Sequence, residues 1–127
     1  MPARNPESLG DLFAQALNAG DLEGLMALYE PHATLSPQPG ILATGSKAIR
    51  EALSGFLAMK PTISMKSRVL AAAGDVALTS AKWELTGTGP DGDRLTMTGE
   101  SVEVARRQRD GSWLFLIDSP WGLAEAQ

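Results

Sequence analysis

Residues 94–118, RLTMTGESVEVARRQRDGSWLFLID, decide the fold. Side chains from Arg94 to Arg109 follow the two-residue period of a β-strand, Asp110-Gly111 is a tight hairpin turn, and Trp113 to Asp118 returns as a second strand. The first run is much longer than a mean strand of about five or six residues. A domain of 127 residues can hold it only if it bends, and Gly99 near its middle is the expected place. A sheet curled in this way cannot close on itself with few strands. Helices must fill its concave face, leaving an apolar pocket at the open end.

Working outward, Pro90-Asp91-Gly92 and Gly74-Asp75 mark turns that bound strands at Val76–Thr86 and Thr62–Ala73. Hairpin-linked strands give an antiparallel meander. The first third is helical. Asn5 caps a helix beginning at Pro6, and Leu9, Leu12, Phe13, Ala16 and Leu17 form its apolar face. Gly20 ends that helix. Asp21 caps a second one, with Leu22, Leu25, Met26 and Tyr29 inward and Pro31 as its stop. A short strand over His32–Ser36 and a proline-rich turn, Ser36 to Gly40, precede a third helix from Ser46 to Lys60-Pro61. The expected architecture is therefore α+β: three N-terminal helices packed on a strongly curved antiparallel sheet. It forms a cone in a single domain over 1–127, with its core at about 6–122.

Composition narrows the function classes. With no cysteine, disulfides, thiolate metal sites and cysteine nucleophiles are excluded. A net charge of −4 argues against nucleic acid as a partner, and the one basic cluster, Arg106, Arg107 and Arg109, sits beside a hairpin turn. No run approaches the roughly 20 apolar residues of a membrane span, and Met1 to Pro6 lacks a leader pattern, so a cytoplasmic location is expected. His32 is the single histidine and has no carboxylate pair nearby in sequence, so no metal site is expected. No nucleophile elbow or phosphate-binding glycine pattern is present, and no cofactor is expected.

The pocket is expected to be lined by Phe13, Leu17, Tyr29, Leu35, Trp83, Thr98, Val102, Phe115, Ile117 and Trp121. Alternation groups Thr98, Glu100, Val102 and Val104 on one face of the long strand and Gly99, Ser101, Glu103 and Ala105 on the other. The valines mark the first set as concave, which brings Glu100 into the pocket, either paired with a nearby arginine or lysine as a purely structural group or as the candidate acid or base, its pKa raised by desolvation. The same alternation sends Asp118 to the face opposite Trp113, Phe115 and Ile117, as a dimer contact or turn cap. The last strand is apolar on both faces and so is covered on both. A homodimer through the convex sheet face follows.

The stretch Ala16-Leu17-Asn18-Ala19-Gly20-Asp21-Leu22 through Leu28-Tyr29, with His32-Ala33-Thr34-Leu35 and Gly45-Ser46-Lys47-Ala48-Ile49, resembles bacterial steroid Δ-isomerases and their SnoaL-like relatives. These belong to the nuclear transport factor 2-like (NTF2-like, or cystatin-like) superfamily. Arg106 to Trp113 and Ser119-Pro120-Trp121-Gly122 resemble members other than the isomerases. The resemblance spans roughly residues 8–122, and its residues build caps and helix faces rather than a site. It implies the cone fold and, for an isomerase, a carboxylate base, a tyrosine and a protonated acid. Here Pro37 stands at the base position, Phe13 at the tyrosine position and Glu100 on or next to the acid position. Steroid isomerase activity is therefore not expected.

Three readings remain. One is a pocket protein for a small hydrophobic or aromatic molecule. Another is an isomerase, cyclase or dehydratase using Glu100. The third is a dimerisation or assembly module whose pocket is filled by side chains.

Overall fold

The computed structural model describes residues 2–125; residue 1 and residues 126–127 of the expected domain lie outside the described residues. The elements in order are α1 (Ser8–Asn18), α2 (Leu22–Met26), β1 (Tyr29–Gln38), β2 (Ile41–Thr44), α3 (Ser46–Ala58), β3 (Thr62–Ala73), β4 (Val76–Thr88), β5 (Arg94–Arg107) and β6 (Trp113–Ser119).

Asn5 caps a turn rather than the helix itself: its Oδ1 accepts from the Ser8 N–H at 3.0 Å, and α1 starts two residues later than Pro6. Gly20, at φ +67°, closes that helix, and the Asp21 carboxylate caps α2 by accepting from the Gly24 N–H at 2.9 Å. With α2 ending at Met26, Tyr29 opens β1, and Pro31 lies inside a strand instead of stopping a helix. Proline is tolerated there because β1 loses register with β6 between Tyr29 and Thr34, where no ladder donor is needed. The proline-rich turn also shrinks. β1 runs to Gln38, Gly40 turns at φ +81°, and Ile41–Thr44 forms an edge strand too short to show a period in sequence.

Two expectations about layout are corrected. The helices do not all precede the sheet, since α3 follows the β1–β2 hairpin. Nor is the sheet a pure antiparallel meander: its order is β2-β1-β6-β5-β4-β3, and β1 pairs with β6 in parallel. Hairpins join β3 to β6 in succession, but β1 is separated from β6 by most of the chain and meets it only on folding. β5 keeps unbroken register with β4 past Gly99, so that glycine does not interrupt the strand. Its role is clearance: a Cβ there would lie 2.7 Å from Cζ2 of Trp83.

α1 lies against β3, and α3 against β1 and β2. Leu9, Leu17, Leu25, Leu35, Ile49 and Leu53 are fully buried between the layers. No helix among the described residues is long and apolar enough to cross a membrane.

Candidate functional site

The inward face of β5 carries Met97, Gly99, Ser101, Glu103 and Ala105, in register with Leu85, Trp83, Ala81, Thr79 and Ala77 of β4. This is the opposite of the face chosen from the valines. Small residues face in because the Trp83 indole needs the space over Gly99, and because the Ser101 hydroxyl, buried, accepts from the Ala81 N–H at 3.0 Å. Val102 and Val104 therefore look outward, and Glu100 with them. Glu100 is exposed beside Lys82 on the outer face and cannot serve as an acid or base in the pocket.

β6 contributes the second reversal. Val104 pairs with Ile117 but Ala105 pairs with Phe115, so Leu116 is an extra residue, a β-bulge. A bulge advances the alternation by one position. Trp113 and Phe115 point inward as expected; beyond the bulge Ile117 turns out to 47% exposure and Asp118 turns in to 5%. Asp118 is therefore neither a dimer contact nor a turn cap.

Between helices and sheet lies a partly open cavity of about 70 Å³. Its walls are Phe13 and Leu17 of α1, Phe56 and Met59 from the α3 end, Ile63 and Met65 of β3, Trp83 and Leu85 of β4, and Met97 of β5. Phe115, Pro120 and Trp121 complete them, and its polar groups come from Ser101, Glu103 and Asp118. Of the expected lining residues, Phe13, Leu17, Trp83, Phe115 and Trp121 meet here. Tyr29 and Leu35 are buried outside the lining. Thr98 borders a shallow outer groove with Lys66 and Lys82, Val102 faces outward and Ile117 is exposed. Two indole donors of the lining are anchored on backbone carbonyls: Trp83 Nε1 to the Pro120 carbonyl at 2.7 Å, and Trp121 Nε1 to the Pro37 carbonyl at 2.9 Å. The two indoles meet edge to face, 5.1 Å between centroids. Pro37, expected at the isomerase base position, meets the site through its backbone oxygen.

Glu103 and Asp118 are directly opposed across β5 and β6, each 5% exposed. The Tyr29 hydroxyl, itself buried, donates to Asp118 Oδ2 at 2.5 Å, and the Thr79 hydroxyl donates to Glu103 Oε1 at 2.8 Å. Among the described residues no cation comes within ion-pair distance of either carboxyl group. Burial, then the Glu103 charge, push Asp118 up to about 7 against the opposing Tyr29 hydrogen bond. Burial also raises Glu103, partly offset by the Ser101 and Thr79 hydroxyls. Tyr29 is held well above its ordinary range by burial and the adjacent Asp118. Two such groups share protons as a unit. Near neutral pH the pair can present a neutral acid that donates and a carboxylate that accepts, side by side under an apolar roof.

Two of the three arginines of the basic cluster are paired: Arg106 forks onto Glu30, which Gln108 also contacts, and Arg107 pairs with Asp75. His32 is exposed on β1. No group of three or more metal-ligating side chains occurs among the described residues. The Asp118–Glu103 pair was invisible to alternation for one reason per residue: an inverted face for one, a bulge for the other. The sequence signal that could have exposed Glu103 is the pairing demand of Trp83, whose indole requires a glycine opposite it.

The sequence matches the SnoaL-like domain over residues 10–115. No curated protein matches it closely enough to lend an activity. Among solved structures it is similar to a ketosteroid isomerase-like protein from Erwinia carotovora atroseptica (TM-score 0.78, 18% identity, covering 89% of each chain). It is similar too to a protein provisionally named a scytalone dehydratase, from Novosphingobium aromaticivorans (TM-score 0.78, 16% identity, 95% of this chain and 88% of that one). An NTF2-like protein with a cystatin-like fold from the same organism aligns with TM-score 0.76 and 16% identity, over 94% of this chain and 80% of that one. At these identities the likeness concerns the fold.

Proposed function

This chain belongs to the SnoaL-like domain family, and from that premise we propose that it binds a small, largely apolar molecule in the cavity and handles a proton on it through Asp118 and Glu103. The observation that carries the reading is the opposed, buried carboxyl pair at a cavity where no cation among the described residues reaches it. A protein gains no stability from burying two uncompensated acids, and such groups collect where proton transfer or binding needs them. Neutral Asp118 would donate to a polar atom of the ligand while ionised Glu103 accepts, the roles exchanging as the proton moves. The catalytic alternative, an isomerase, cyclase or dehydratase, thus keeps its carboxyl chemistry but passes from Glu100 to this pair.

Cavity size limits the occupant. About 70 Å³ is below the roughly 300 Å³ of common ligand sites. Met59, Met65 and Met97 line it, however, and methionine's unbranched chain re-packs at low energy, so a flat ring can enter by displacing them. In this reading the sheet wraps the helices as a cone, and a second copy covers its outer face, where Leu78, Val104 and Ile117 align across three strands.

A thermal-shift series with indole, 2-naphthol and a steroid enone tests the pocket. The expected result is a raised melting temperature with at least one of them, together with quenching of tryptophan fluorescence from Trp83 and Trp121. If none of the three moves either signal, the pocket is filled by its own side chains and the assembly-module reading takes its place.

A further inference from the structure

We propose that the occupant of this cavity is a small organic amine in its ammonium form, its apolar body between the aromatic walls and its charged nitrogen against Asp118 and Glu103. The inference rests on the reading that the cavity takes a ligand, and it names the ligand's charge.

The wall composition comes first. All three phenylalanines and two of the three tryptophans line this one cavity: Phe13, Phe56, Phe115, Trp83 and Trp121. An aromatic face carries partial negative charge and attracts a cation placed over it, more strongly where water is excluded. Lysine, arginine and histidine are absent from the lining. The cationic members of the ion pairs stand elsewhere, as Arg50 on Glu23, Arg106 on Glu30 and Arg107 on Asp75.

The two carboxyl groups come second. Each receives a neutral hydroxyl donor, from Tyr29 or Thr79, but among the described residues no cation answers their charge. A buried carboxylate is favourable only when paired, and here the described residues supply no cationic partner. A primary ammonium brings one positive charge and three N–H donors, enough to engage both groups at once. A carboxylate or phosphate ligand would meet like charge and aromatic faces, both repulsive. A neutral alcohol could donate one hydrogen bond and accept another, but it would leave the charge unanswered. The chain's net charge of −4 also favours the approach of a cation over that of an anion.

Three probes of one shape isolate the charge: benzylamine, benzyl alcohol and benzoate, titrated by calorimetry into the intact chain at pH 7.5. Benzylamine is expected to bind about tenfold or more tighter than benzyl alcohol, and benzoate not at all. In Asp118→Asn the amine-to-alcohol affinity ratio is expected to fall toward one, a quantity that a uniform loss of fold would not move. Benzyl alcohol binding as tightly as benzylamine overturns the amine inference while leaving the pocket reading intact. Benzoate binding best overturns it as well. If all three fail to bind, the pocket reading fails and the inference with it.

Discussion

Asp118 sits in an apolar wall with one hydroxyl for company, and its stability cost follows from that placement. In the folded chain it keeps its proton up to about 7, whereas an unfolded aspartate loses it near ~4. Between those values the folded state binds more protons than the unfolded state, so stability falls as pH rises through that window. The loss is complete above about pH 7 and absent below about pH 4. Glu103, also raised, acts in the same direction. Asp118→Asn keeps an acceptor for Tyr29 and removes the charge. Its denaturation free energy at pH 8 is expected to exceed that of the parent by roughly 2–4 kcal/mol, with the gap closing near pH 4. Urea melts at several pH values read this directly. A variant weaker than the parent at pH 8 would show that the carboxylate is compensated after all.

At the scale of elements, the cavity depends on how α1 is fastened to the sheet. Gly10 lets the helix approach β3 so closely that a Cβ would lie 2.0 Å from the Ser67 hydroxyl oxygen. Asn18, at the helix end, holds the start of β3 with both arms: its Nδ2 donates to the Ile63 carbonyl at 3.0 Å, and its Oδ1 accepts from the Ile63 N–H at 2.7 Å. Phe13 and Leu17 of the same helix line the cavity together with Ile63 and Met65 of β3. Asn18→Ala is expected to cost about 1–2 kcal/mol and to speed amide exchange at Ile63 before that in central β4. Unchanged exchange at Ile63 would mean that apolar packing alone docks the helix. Much of the local punctuation was legible in the sequence: Gly20, Asp21 and Gly74-Asp75 sit where local chemistry puts them, while Asp110-Gly111 lies within a wider β5–β6 connection, from Gln108 to Ser112, because β5 ends at Arg107 rather than Arg109. Which face of β5 looks inward was not, because Val102 and Val104 are apolar for the outer surface while Ser101 and Glu103 are polar for the cavity.

For the whole molecule, the proposed dimer rests on that outer apolar surface. Val76, Leu78 and Ile117 are 41%, 37% and 47% exposed on strands that bury Trp83 and Phe115 on the other side. A second copy laid face to face on this patch removes it from water, at about 25 cal/mol for each Å² of apolar area covered. Light scattering should therefore find a dimer at micromolar concentration, and Leu78→Glu, which places a charge at the centre of the patch, should yield a folded monomer. A parent chain that is monomeric at those concentrations would remove the dimer from the proposal.

By itself the sequence determined the class of the fold, because caps, turns and periodicity are local and each acts on a few neighbouring residues. It also placed Phe13, Leu17, Trp83, Phe115 and Trp121 inward, as burial of large apolar side chains favours, although the same reasoning misplaced Val102 and Ile117, which the sheet leaves on its outer face. Only the tertiary structure decided the chemistry of the site. The parallel meeting of β1 and β6 brings Tyr29 to Asp118 across 89 positions. The bulge at Leu116 turns Asp118 inward, and the indole of Trp83 claims the space over Gly99 and so orients Glu103. Each of these is a pairing between distant segments, and a single register step or one extra residue exchanges the faces of a strand. That exchange moved the candidate carboxyl chemistry from Glu100 to Asp118 and Glu103.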